Sequence, residues 1–112
     1  MLIFAVSLNS CAEEKKKPAG ILPEETLIPI LVDVHILEAQ LEKKVMPIDS
    51  LAVLIKSNYN HLFERHQISE DQFMKTFNYY ESHPDEMDVL YQEVINELTK
   101  MEAELQGEKV EK

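Results

Sequence analysis

The stretch Ile30-Leu31-Val32-Asp33-Val34-His35-Ile36-Leu37-Glu38-Ala39-Gln40-Leu41-Glu42 decides the fold. Its first half carries two patterns at once. Ile30, Val32, Val34 and Ile36 alternate and are β-branched, as in a strand. Leu27, Leu31, Val34, Leu37 and Leu41 keep the spacing of one helix face. No turn separates this run from Glu38-Ala39-Gln40-Leu41-Glu42, whose residue types favour helix. That continuity decides for helix. Because Leu27 to Leu37 is apolar nearly all round, this helix is expected to be the central, most buried one.

Its limits are read at about Pro23 and Lys44. Proline suits the first helical position, Glu24 and Glu25 suit the positive end of the dipole, and Lys43 and Lys44 suit the other end. Pro29 removes one hydrogen bond and is expected to kink or restart the helix. Asp33 and His35 interrupt the apolar run. Positions two apart on a helix do not face each other, so they are not read as a dyad. Asp33 is expected to bond another helix's end or a tyrosine hydroxyl, and His35 to be partly buried.

Three more helices follow. Helix 2 runs from about Asp49 or Ser50, either of which can cap it, to His66. Its stripe is Leu51, Leu54 or Ile55, Tyr59, Leu62 and Phe63. Ser69-Glu70-Asp71-Gln72 is a capping box, with Ile68 and Phe73 as its hydrophobic staple. Helix 3 then reaches about Glu81 and is expected to pair with helix 2. Ser82-His83-Pro84 breaks it, and Pro84 opens helix 4. Met87, Tyr91, Val94, Leu98, Met101 and Leu105 form a heptad seam, widened by Leu90 and Ile95. Gly107 is expected to end that helix, leaving a charged tail over 108–112. The fold class is therefore all-α: a small four-helix bundle in one domain over 23–107.

Totals agree with this reading. There are 112 residues, enough for one domain, and only two glycines, too few for a turn-rich β fold. The formal net charge of −10 makes nucleic acid and anionic headgroups poor partners for the folded part. One cysteine forms no internal disulfide.

That cysteine follows the apolar run Leu2 to Leu8. Leu8-Asn9-Ser10-Cys11 resembles the lipobox of bacterial lipoproteins. The resemblance implies removal of residues 1–10 as a signal peptide and acylation of Cys11, with chains such as palmitate, as a membrane anchor. No basic residue precedes the run, so the start of this signal is read as truncated or misassigned. Residues 11–22 read as a charged, Pro/Gly-broken tether. Ala12-Glu13-Glu14 resembles the acidic signature that sends some Bacteroidota lipoproteins to the cell surface, and equally reads as a solvated charge run. The expected address is the outer membrane, lipid-anchored, on its periplasmic face or at the cell surface.

The residues offer little catalytic chemistry. His61 and His66 lie about 140° apart on a helix and do not suit one ion. There is no nucleophile elbow, P-loop or dinucleotide fingerprint. No enzyme, metal or cofactor is expected. The aromatic group Tyr59, Phe63, Phe73, Phe77, Tyr79, Tyr80 and Tyr91 is read first as core. Tyr79 and Tyr80 lie about 100° apart, so one is expected in the core and its neighbour beside a groove. With Asp33 or His83 as hydroxyl partners, Asp33, His35, Tyr79, Tyr80 and His83 form the candidate binding or structural polar cluster.

From about Lys17 to Leu105 the chain resembles an uncharacterised Bacteroidota lipoprotein family, domain of unknown function 4296. The resemblance rests on Leu31-Val32-Asp33-Val34-His35-Ile36-Leu37-Glu38-Ala39, His66-Gln67-Ile68-Ser69, Phe73, Tyr79-Tyr80-Glu81-Ser82-His83-Pro84, Met87, Tyr91 and Val94. It implies a short helical lipoprotein domain and no assigned activity. The expected role is a non-enzymatic interaction or structural module of the cell envelope. The alternative is an accessory subunit that binds a partner helix or apolar ligand through an aromatic, Met-lined face. An enzyme with an unrecognised site ranks behind both.

Overall fold

A computed structural model describes residues 17–111. It contains four helices: α1 (Glu24–Glu42), α2 (Ile48–Arg65), α3 (Glu70–Glu81) and α4 (Pro84–Glu111). No strand occurs among the described residues. The competition in the opening stretch is thus settled for helix. Leu27, Ile30, Leu31, Val32 and Val34 of α1 are all buried, so the alternating β-branched positions are covered by helices packed around α1. α1 packs against both α2 and α4, which makes it the central element.

Pro29 lies inside α1, and the helix runs through it without restarting. Only the bond that its missing N–H would have made is lost. Pro23 stands just before the first helical residue, and its carbonyl accepts from the N–H groups of Thr26 and Leu27 at 3.0 Å each. α2 also starts behind a proline. Pro47 occupies the cap position with φ −56° and ψ 147°, and Leu51 N–H bonds its carbonyl at 2.9 Å. Asp49 and Ser50 are therefore inside the first turn and do not cap it. Proline's fixed φ and missing donor already suit the entry, and Asp49 still favours the dipole.

The α2–α3 turn is built without glycine. Gln67 takes φ +60°. Its N–H bonds the Glu64 carbonyl at 3.0 Å, and Ile68 N–H bonds the Phe63 carbonyl at 3.0 Å. These are the two bonds of a Schellman motif. Ser69 then caps α3, its Oγ accepting from Gln72 N–H at 3.0 Å. Ile68 closes α2 and opens α3 while packing against the core. The expected α2–α3 pair does not form along their lengths. α3 packs on α4 and α2 on α1. The rings of Phe63 and Phe73, 5.1 Å apart, meet between α2 and α3 and hold their backbones apart.

The core occupies only part of the molecule. It is made by the first half of α1, Leu62 and Phe63 at the end of α2, Phe73 and Tyr80 of α3, and Leu90 and Val94 of α4. The heptad seam of α4 is covered only as far as Leu98. Met101 and Leu105 are exposed, and so is Ile95. The reason is length: α3 has 12 residues and α4 has 28, about 18 Å against about 42 Å of helix. Nor does Gly107 end α4, which continues to Glu111. Its φ is not positive, and a glycine inside a helix costs only about 1 kcal/mol. The helix-favouring residues after it carry the helix on.

Residues 18–22 are not tether. Ile21 N–H bonds the Pro18 carbonyl at 3.3 Å, around Gly20 at φ +89°. Leu22 is buried, and its N–H donates to Thr76 Oγ1 at 3.0 Å. Thr76 is itself wholly buried. Ile21 and Leu22 are apolar enough to join the core, so the chain is fastened to α3 before α1 begins. Cys11, the expected signal and the rest of the expected tether lie outside the described residues, as does Lys112.

Two outcomes follow. Thr76→Val keeps the shape but leaves the Leu22 N–H without its acceptor, and should cost about 1–3 kcal/mol in urea unfolding. Gln67→Gly removes the strain of a left-handed side-chain residue and should raise stability by about 0.5–1 kcal/mol. A loss of stability on that change would disprove the strain.

Candidate functional site: an acid-rimmed aromatic cleft

Because bulky rings separate α2 from α3, the surface between them is not closed. A cleft of about 400 Å³ opens there. Its floor is Leu31 and Val34 of α1 with Phe63 of α2. Tyr59, Phe73, Met74, Phe77 and Tyr91 form its walls, and His35, Glu38 and Glu70 also line it. The rings form a connected series: Tyr59 to Phe63 at 5.9 Å, Phe63 to Phe73 at 5.1 Å, and Phe73 to Phe77 at 5.9 Å. His35 meets Tyr91 edge-to-face at 5.6 Å.

Glu38 governs the electrostatics of one wall. Tyr59 OH donates to its Oε2 at 2.7 Å. Burial, that bond and the carboxylate's charge hold the Tyr59 phenol well above its usual titration range. Burial and then the charge of Glu38 raise Tyr91 too. Both phenols therefore remain neutral hydroxyls at neutral pH, beside the Glu38 carboxylate.

The five residues expected to form a polar cluster divide between separate places. Asp33 holds the end of α2. His66 Nε2 donates to Asp33 Oδ2 at 2.7 Å, and Arg65 Nη2 donates to the same oxygen at 3.2 Å. The expectation that Asp33 would bond another helix's end is thus met, and the tyrosine-hydroxyl option is not used. His35 belongs to the cleft. Tyr79, Tyr80 and His83 form a third group at the α3–α4 corner. His83 Nδ1 donates to the Tyr79 carbonyl at 2.6 Å, and its ring stacks on Tyr79 at 4.0 Å. Tyr79 OH donates to Glu86 Oε2 at 3.1 Å, so neither Asp33 nor His83 serves it as expected. Glu86 also faces Lys17 Nζ at 3.7 Å, and Lys17 lies 5.7 Å from the Tyr80 ring centre.

Tyr80 is the core member of the tyrosine pair, as the spacing implied, and Tyr79 is half-buried. Among the described residues, the Tyr80 hydroxyl has no hydrogen-bond partner. Burial pushes it up to about 12, with the charges of Glu24 and Glu86 adding to the effect. Sequence reasoning found most of the cleft's rings but missed Glu38 and Glu70 as its rim. Glu38 stands four residues after Val34 and seven after Leu31, a spacing that places it on their face. Glu70 was absorbed by the capping box.

Comparison with known proteins adds one finding. Residues 18–104 match the sequence model of a family described as "Domain of unknown function (DUF4296)". No curated protein matches the chain, and no solved structure does.

The Tyr80 hydroxyl yields a test with a definite sign. The folded state favours the neutral phenol, while an unfolded phenol titrates near 10. Stability is therefore full below about pH 10 and falls as pH rises through about 12. Urea unfolding should give a flat profile from neutral pH to about pH 9 and a decline above about pH 10. Tyr80→Phe should shallow that decline and raise stability at neutral pH by about 1–3 kcal/mol, since it removes a buried hydroxyl that has no partner among the described residues.

Proposed function

We propose, for a chain that belongs to the DUF4296 family, a lipid-anchored module of the bacterial outer membrane that acts by holding a partner and not by catalysis. The observation that carries this reading is the open aromatic cleft. A helical domain of this size has few residues to spare for its core, yet five aromatic rings and Met74 line a cleft that the fold does not fill. Apolar surface left concave beside carboxylates suits recognition.

The sequence ahead of the fold supports the anchor. Leu8-Asn9-Ser10-Cys11 has the lipobox pattern, and an acylated Cys11 carrying palmitate-type chains would provide the two or more lipid tails that stable attachment requires. Five residues separate Cys11 from Lys17, so the two are at most about 21 Å apart along an extended chain. The fold would therefore ride close to the bilayer. No helix among the described residues is long and apolar enough to cross a membrane, so on this reading attachment depends on the lipid. A Bacteroidota-type export signal, Ala12-Glu13-Glu14, would place the module at the cell surface.

The test is fractionation of native membranes. Wild-type protein should sediment with the outer membrane and incorporate a clickable palmitate analogue. Cys11→Ala should lose the label and shift most of the protein to the soluble fraction. Unchanged membrane association of the variant would refute the anchor.

A further inference from the structure

The cleft does not end at Tyr59. A groove between α1 and α2 continues from it, sharing Glu38 and Tyr59 and lined further by Leu41, Glu42, Leu51 and Ile55. The combined surface is long, apolar at its base and edged by Glu38, Glu42 and Glu70. Among the described residues no lysine or arginine lines either part; Lys56 lies in the adjoining recess, beside Ile55, Tyr59 and Glu70. All three carboxylates are solvent-exposed, as are Ile55 and Met74.

We propose that this groove binds a basic amphipathic segment of a partner protein, with large apolar side chains seated among the rings and lysine or arginine paired with Glu38, Glu42 and Glu70. The inference deepens the cleft reading above and rests on it. Charge complementarity selects the occupant. A second copy of this acidic chain would bring carboxylates to carboxylates. A small apolar molecule would fill the cleft but leave the acidic groove between α1 and α2 unused. An extended or helical segment with apolar residues on one side and cations beside them meets both features. Its ammonium or guanidinium groups also gain from the aromatic faces nearby.

The probe is a short amphipathic leucine–lysine peptide, with two controls of the same length: one with glutamate for lysine, one with serine for lysine. Binding is measured by calorimetric titration of the full folded domain. The lysine peptide should bind and the glutamate peptide should not. Glu38→Gln/Glu70→Gln should weaken the lysine peptide about tenfold or more, about 1.4 kcal/mol. Glu93→Gln/Glu102→Gln, an equal charge change at two exposed positions of α4 away from the groove, should weaken it less than about twofold. Met74→Lys, which puts a cation on the cleft wall without touching the core, should match the effect of the cleft pair.

Equal weakening by both glutamate pairs would overturn the proposal by reducing the attraction to net charge. So would equal binding of the serine peptide. Self-association in sedimentation velocity that Met74→Lys abolishes would assign the face to a second copy instead. Loss of membrane attachment in Cys11→Ala, with no preference for the lysine peptide, would leave the anchor standing and end this inference.

Discussion

The rest of the structure depends on one demand: the first half of α1 must be covered on nearly every side. Five of its residues are buried, and each fully buried large side chain contributes about 1.5–3 kcal/mol only if neighbours exclude water from it. α4 covers one side, and the end of α2 another. The Leu22 strap, fastened by Thr76, lies over the entry. Asp33 fixes the register of this arrangement, because its carboxylate accepts from His66 and Arg65 where α2 ends. The Asp33–Arg65 pair is largely exposed and worth little as an ion pair. Its value, with the shorter His66 bond, is positional: it ties the middle of the central helix to the last residues of its neighbour.

Once that demand is met, little of the chain is left to cover anything else. α3 is too short to follow α4 to its end, and the far half of the α1–α2 hairpin has nothing opposite it. Exposed Val45, Ile48 and Val53 near the α1–α2 turn and Leu105 late in α4 result from the same shortage. The cleft has a different origin. It exists because Phe63 and Phe73 meet between α2 and α3 at 5.1 Å, with Tyr59 and Phe77 extending the row of rings along each helix, and side chains of that bulk keep the two backbones apart. Smaller side chains there would have let the helices close.

This explains what was legible in the sequence. Helix class, number and approximate limits follow from periodicity, prolines and the Ser69 cap, all local signals. The centrality of α1 follows from the all-round apolar run. Less local properties were hidden. A heptad pattern records which residues could be buried, and coverage of Met101 and Leu105 depends on the length of another helix. Gln67 in the left-handed region leaves no compositional trace, because the usual marker is glycine. Tyr79 and Asp33 offer the residue types of one polar cluster, yet their contacts depend on how far α1 stands from the α3–α4 corner. Glu38 carries no local mark of a site, because its role comes from Tyr59 and Tyr91, which other helices bring to it.

The fastening at Leu22 also determines how the molecule bears force. A pull on the chain ahead of Pro18 meets the Lys17–Glu86 pair first. It then meets the Leu22–Thr76 bond and the buried Leu22 side chain. The load enters α3 and the start of α4, while α1, next in sequence, is shielded. The strap thus works as a mechanical clamp that keeps tension on the leading segment from peeling away the helix on which the core is built.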